Sequence, residues 1–113
     1  MMSYQDQFVA YLTHYANKDI AKISEMLAED VTLRDWKISV SGKASAIAET
    51  EKNFQAADTV EIEILHLYAA EQGVAGELRI TVNSKDILYV VDVVSFNAEG
   101  KIKAIRAFIG RGD

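Results

Sequence analysis

An α+β fold, with three helices packed on one face of a curved antiparallel sheet, is what this sequence predicts, and three observations predict it. Apolar residues recur at helical three-and-four spacing before about residue 58 and in strand-like alternation after it. The helices precede the run of strands instead of alternating with them, which sorts the two kinds of element into layers. Half of the 113 residues are apolar, enough for one core in a single domain over residues 1–113 and too few for a second of ordinary size.

The first helix runs from Ser3 to Asn17, where Phe8, Tyr11, Leu12 and Tyr15 make one sticky stripe. Asn17 and Asp19 break and restart it, and Ile20, Ile23 and Leu27 mark a second short helix that ends near Glu29. Val31 and Leu33 then carry an early strand. A third helix is expected from about Lys43 to Gln55, with Ser41 or Gly42 near its start and Ala46, Ile47 and Phe54 on its buried side.

Four strands follow, at about 59–69, 74–82, 86–96 and 101–110. Gln72-Gly73, Asn83-Ser84-Lys85 and Asn97-Ala98-Glu99-Gly100 carry turn chemistry, so these strands should form an antiparallel meander. If the last turn sets Phe96 opposite Lys101, then Asp92 pairs with Ile105 and Val90 with Ala107. The other face of that hairpin holds Tyr89, Val91, Val93, Ala104 and Phe108, so both faces are apolar. A sheet with one solvated face does not read this way. Helices are therefore expected on one face and a second copy of the chain on the other, a homodimer through the sheet.

The net charge of −5 argues against a nucleic-acid backbone or an anionic membrane as the main partner. With no cysteine, disulfides, thiol nucleophiles and cysteine metal sites are excluded. The start MMSYQDQFVAYL lacks a basic segment followed by an apolar run, and no stretch nears the roughly 20 apolar residues of a membrane helix, so a cytoplasmic protein is expected.

The candidate chemistry begins in AEDVTLRDWKISVSGKASAI, where alternation aims Asp35 the same way as Val31 and Leu33. Asp92 likewise sits between Val90 and Val94 on the inner face of its strand. Two carboxylates then point into one apolar interior, and each must be paired, protonated or open to a cavity. A turn-capping role is the plainer account of Asp35, a buried carboxylate bonded to a tyrosine or arginine that of Asp92, and a core residue that of Tyr11.

With these residues in this order of elements, the chain resembles the SnoaL-like members of the nuclear-transport-factor-2-like superfamily, and within them most closely the ketosteroid isomerases. YLTHYANKDIAKISEMLAEDVTLRD reads like that family's first two helices and first strand, SGKASAI like the start of its third helix, and VVDVVSFNAEGKIKAIRAFIG like its closing hairpin. The resemblance implies a cone-shaped, cystatin-like α+β barrel. It also implies an active site of a tyrosine on the first helix, an aspartate ending the first strand and an aspartate on the penultimate strand, which fall on Tyr11, Asp35 and Asp92.

In that family's chemistry, Asp35 would carry a proton from one carbon beside a ketone to another, while Tyr11 and a neutral Asp92 donate hydrogen bonds to the enolate oxygen. No cofactor is implied. The expected pairing sets Ile105, Ala107 and Ile109 beside Asp92, which with Val90 supplies an apolar wall for a small apolar molecule. Trp36 stands where the isomerases usually carry proline, and the connector from Asp35 to Gly42 is shorter, so Trp36 bears on pocket size. His66 shares parity with Ile62, Ile64 and Tyr68 and is a further candidate for the lining.

Other signals carry less. His14 and His66 are the only histidines and make no convincing zinc site, so no metal is expected. SGKAS lacks the first glycine of a phosphate loop, and alanine follows its lysine. The closing Arg-Gly-Asp is an adhesion motif only outside the cell, and Arg106 falls on the presumed dimer face. The resemblance thus implies an isomerase, or a related lyase or cyclase, acting on a small apolar ketone. The alternative is a noncatalytic module of the same fold that binds a small hydrophobic molecule or serves as a dimeric interaction unit.

Overall fold

The computed structural model describes residues 2–112; Asp113, which completes the Arg-Gly-Asp tripeptide, lies outside the described residues. Helix α1 spans Tyr4–Ala16, capped by the Ser3 hydroxyl, which accepts from the Asp6 amide at 3.0 Å and so satisfies one of the donors a helix start leaves free. Lys18, at φ 56°, turns the chain, and Asp19 caps helix α2, Ile20–Met26, by accepting from the Lys22 amide. Strand β1 is Leu27–Arg34, β2 is Ser39–Ser41, helix α3 is Lys43–Ala56, and the meander follows as β3 Val60–Ala70, β4 Gly73–Val82, β5 Asp86–Phe96 and β6 Ile102–Gly110.

The expected three helices on a sheet is the architecture adopted. The sheet is open, with strand order β2-β1-β6-β5-β4-β3, and it is mixed instead of wholly antiparallel because β1 runs parallel to β6. Helix α2 ends at Met26, earlier than Glu29, since Leu27 and Ala28 are buried in extended backbone and Leu27 pairs with Ile102. Strand β2 has no periodic signal in its three residues; it exists because β1 turns back on itself, pairing Leu33 with Val40.

Two irregularities interrupt the strand pairing, and one of them re-aims side chains. In the β5/β6 hairpin Asp92 faces Ala107 and Val90 faces Ile109, two residues from the expected register. The Asn97 side chain closes the turn by accepting from the amides of Glu99 and Lys101, Phe96 pairs with Ile102, and a bulge then leaves Lys103 without a partner. The slip is even, so every residue keeps its expected face. In β3 a register shift leaves Leu65 as the extra residue, which is odd; beyond it Leu67 packs against the core while His66 and Tyr68 are exposed.

One cluster under the helices unites Phe8, Tyr11 and Leu12 of α1 and Ala46 and Phe54 of α3 with Val74, Leu78, Val94, Phe96, Ile102 and Ile105 of the sheet. Phe8 is fully buried, and its ring lies directly over Gly76: a β-carbon there would come within 2.6 Å of Phe8 Cε2 and Cζ. Gly76 pairs with Asp92, so this close approach fixes α1 at the level of the candidate site. Gly76→Ala is expected to destabilise the fold by about 1–3 kcal/mol, because the fully buried Phe8 ring would have to shift to admit the methyl group. Urea denaturation of the variant checks this.

Candidate active site

The space between the helices and the inner face of the sheet is a cavity of about 380 Å³, toward the small end of the roughly 300–1,000 Å³ usual for ligand pockets. Tyr11, Asp35 and Asp92 all line it. Tyr11 arrives on the buried stripe of α1, and Asp92 projects from the inner side of β5, flanked by the buried Val90 and Val94. Asp35 follows the last residue of β1, at the turn into β2.

That turn explains how a carboxylate can be held at an apolar wall. Asp35 Oδ1 accepts from the amides of Lys37 at 2.7 Å and Ile38 at 2.9 Å, and the Asp35 amide donates to the Ile38 carbonyl. One oxygen is thus spent on the turn, as the plain reading of Asp35 requires, while the second has no such partner among the described residues. Cap and cavity residue are the same side chain.

Asp92 lives in a different environment. Burial among apolar residues, with a smaller contribution from the nearby negative charge of Asp35, raises its pKa from an ordinary 3.8 to about 7. Burial also raises the Tyr11 phenol well above its usual value, with the charge of Asp92 and the neighbouring Tyr15 adding to it, so Tyr11 stays a hydrogen-bond donor. The site therefore sets two neutral donors facing a carboxylate that remains partly solvated.

The other expected lining residues divide. Val90, Ile105 and Ala107 line the cavity, and Trp36 does so at its mouth with 42 % of its surface exposed. His66 does not, because the bulge at Leu65 turns it to the opposite face. Ile109 keeps the inward parity but lies beyond the cavity near the end of β6, 45 % exposed. Leu33, Ile62, Ile80 and Leu88 are among the other apolar residues of the wall.

Sequence reasoning missed Tyr15 and Asn53 as site residues. Both line the cavity, and the Asn53 amide donates to the Tyr15 hydroxyl at 3.1 Å. The signal was available: Tyr15 belongs to the stripe of Tyr11, and Asn53 follows Ala46 and Thr50 at helical spacing. Among the described residues no group of His, Asp and Glu is placed to hold a metal ion, and no helix is long and apolar enough to cross a membrane.

The profile of the SnoaL-like domain matches residues 8–105. This chain belongs to the SnoaL-like family. A steroid Δ-isomerase of Nocardioides simplex is 33 % identical, over 91 % of this chain and 86 % of the relative. Among solved structures, the epoxide hydrolase/cyclase-like enzyme SalBIII, described for pyran ring formation in the polyether salinomycin, is 28 % identical with a TM-score of 0.82, covering 95 % of this chain and 90 % of that one. An NTF2-like protein of unknown function from Cytophaga hutchinsonii shares the fold alone, at 11 % identity and TM-score 0.82 over 97 % and 92 % of the two chains.

In this SnoaL-like domain the elevated Asp92 carries a stability consequence with a definite sign. The unfolded carboxyl ionises near 3.8, whereas the folded one holds its proton to about 7. Between these values unfolding releases a proton, so stability falls as pH rises, and above about 7 the full cost remains, on the order of 4 kcal/mol. Asp92→Asn, which cannot ionise, is expected to raise the melting temperature at about pH 8 and to leave it nearly unchanged at about pH 3. Thermal denaturation at the two pH values checks this.

Proposed function

We propose that the protein shifts a double bond relative to a ketone on a small apolar substrate, using its own side chains to move the proton. The observation that carries this reading is the meeting of Tyr11, Asp35 and Asp92 at one apolar cavity, with Asp92 holding its proton up to about pH 7. Asp35 takes a proton from the carbon beside the carbonyl, and the C–H electron pair moves into an enolate whose negative charge falls on the ketone oxygen. Tyr11 and the protonated Asp92 donate to that oxygen as the charge develops. Asp35 then returns the proton to the far carbon of the conjugated system, and the enolate electrons close the new double bond. This is the division of labour of the ketosteroid isomerases. The identity with a steroid Δ-isomerase supports it for this chain.

The noncatalytic alternative rests on the two backbone bonds of Asp35, which would hold its carboxylate in place with no reaction at all. Turnover of a β,γ-unsaturated ketone to its conjugated isomer, followed by the absorbance of the enone, separates the two readings. Asp35→Asn is expected to lower kcat by about 10²–10⁴-fold with the fold retained by circular dichroism. Undiminished turnover in that variant would end the proposal, and binding without turnover in the wild type would favour the noncatalytic module.

We also propose that a second copy covers the outer face of the sheet. That face exposes Tyr68, Ile87, Val91 and Phe108, more large apolar side chains than a solvated sheet face ordinarily presents, with Glu77 and Arg79 among them. Arg34 stands over the Phe108 ring at 5.4 Å, and Arg106 lies on the same side. Sedimentation is expected to show a dimer that Val91→Glu with Phe108→Glu converts to monomer; a monomeric wild type would overturn it.

A further inference from the structure

The cavity holds more polar groups than proton transfer needs, and most are already spent. The Thr50 hydroxyl donates to the Ala46 carbonyl at 2.8 Å, Asp35 Oδ1 serves its turn, and Glu49 pairs with Lys52. Lys37 stands exposed at the mouth. What remains outside the trio is the Tyr15–Asn53 pair.

In that pair the direction of the bond matters. Asn53 Nδ2 is the donor, so the Tyr15 oxygen is an acceptor there and its own proton is directed elsewhere. Accepting one hydrogen bond makes a phenol a better donor of the next. Burial raises the Tyr15 pKa, the Asn53 bond opposes that, and the charges of Asp92 and Asp35 raise it again, so the phenol is protonated at neutral pH. The ring is fixed by an edge contact with Phe54 at 4.9 Å and lies 6.1 Å from the Tyr11 ring, one helical turn away. Asn53, an exposed residue of the cavity lining, keeps a carbonyl oxygen able to accept.

We propose that Tyr15 and Asn53 form a second polar subsite that takes a hydroxyl group of the ligand. A hydroxyl both donates and accepts, which matches a phenol proton and an amide oxygen that have no hydrogen-bond partner among the described residues. The preferred substrate is then a ketone that carries a hydroxyl on the side of the molecule nearer α3, with an apolar body against Ile62, Ile80 and Leu88. A pocket that hydrogen-bonds a hydroxyl discriminates against the analogue lacking it more strongly than an apolar wall can discriminate one methylene. This assignment rests on the proposed function for the placing of the ketone at Tyr11 and Asp92.

The test is calorimetric titration with two planar enolate mimics: β-naphthol, and the naphthalenediol that adds a hydroxyl at the β-position of the far ring. Wild type, Tyr15→Phe, Asn53→Ala and Asp92→Asn are compared. The wild type is expected to favour the diol by about three- to tenfold over the statistical advantage of its symmetry, as one added neutral hydrogen bond supplies. That preference should vanish in Tyr15→Phe and in Asn53→Ala, while Asp92→Asn should weaken both mimics alike. An unchanged diol preference in Tyr15→Phe overturns the subsite and leaves the proposed function standing. A Tyr15-dependent preference with no effect of Asp92→Asn upholds the subsite and removes the ketone from Asp92. Failure of both mimics to bind the wild type overturns both.

Discussion

The site depends on how closely α1 lies on the sheet. Phe8 can sit flat against β4 only because Gly76 has no side chain, and that contact seats the helix with Tyr11 one turn further along, over the inner face of β5. A helix held away by one methyl would carry Tyr11 and Tyr15 away from Asp92 as well. Packing and chemistry are therefore coupled through a single cross-strand pair, Gly76 with Asp92.

From that seat the two carboxylates acquire opposite characters. Asp92 lies between the buried Val90 and Val94 along its strand and between Gly76 and Ala107 across the sheet, where ionisation is costly and a proton is retained. Asp35 lies past the end of its strand, with two backbone amides on one oxygen and solvent nearby at the mouth. The charge on Asp35 helps keep Asp92 neutral. The stability lost by burying Asp92 is the cost of keeping a hydrogen-bond donor with carboxyl geometry in an apolar pocket.

Much of this was legible in the residues. The stripe of Phe8, Tyr11, Leu12 and Tyr15 identified α1 and its buried face, and the change from helical to alternating periodicity located the meander to within a residue or so at each end. Parity alone turned Asp92 inward, and it survived a register slip because that slip was even. Parity failed for His66 because one extra residue at Leu65 reverses the face of everything after it, and a bulge has no compositional mark in ILHLY. The three-residue β2 was equally silent, since its pairing is dictated by the turn that Asp35 caps.

The sequence by itself determined the layers, the family resemblance and the residue types able to do acid and base chemistry, because periodicity and side-chain type are local properties of the chain. Only the tertiary structure decided which of those residues share a cavity, that Asp35 is at once a turn cap and a cavity residue, and that Tyr15 and Asn53 join from two helices. Such facts follow from distances between segments far apart in sequence, and from the desolvation that their packing imposes, neither of which any local pattern contains.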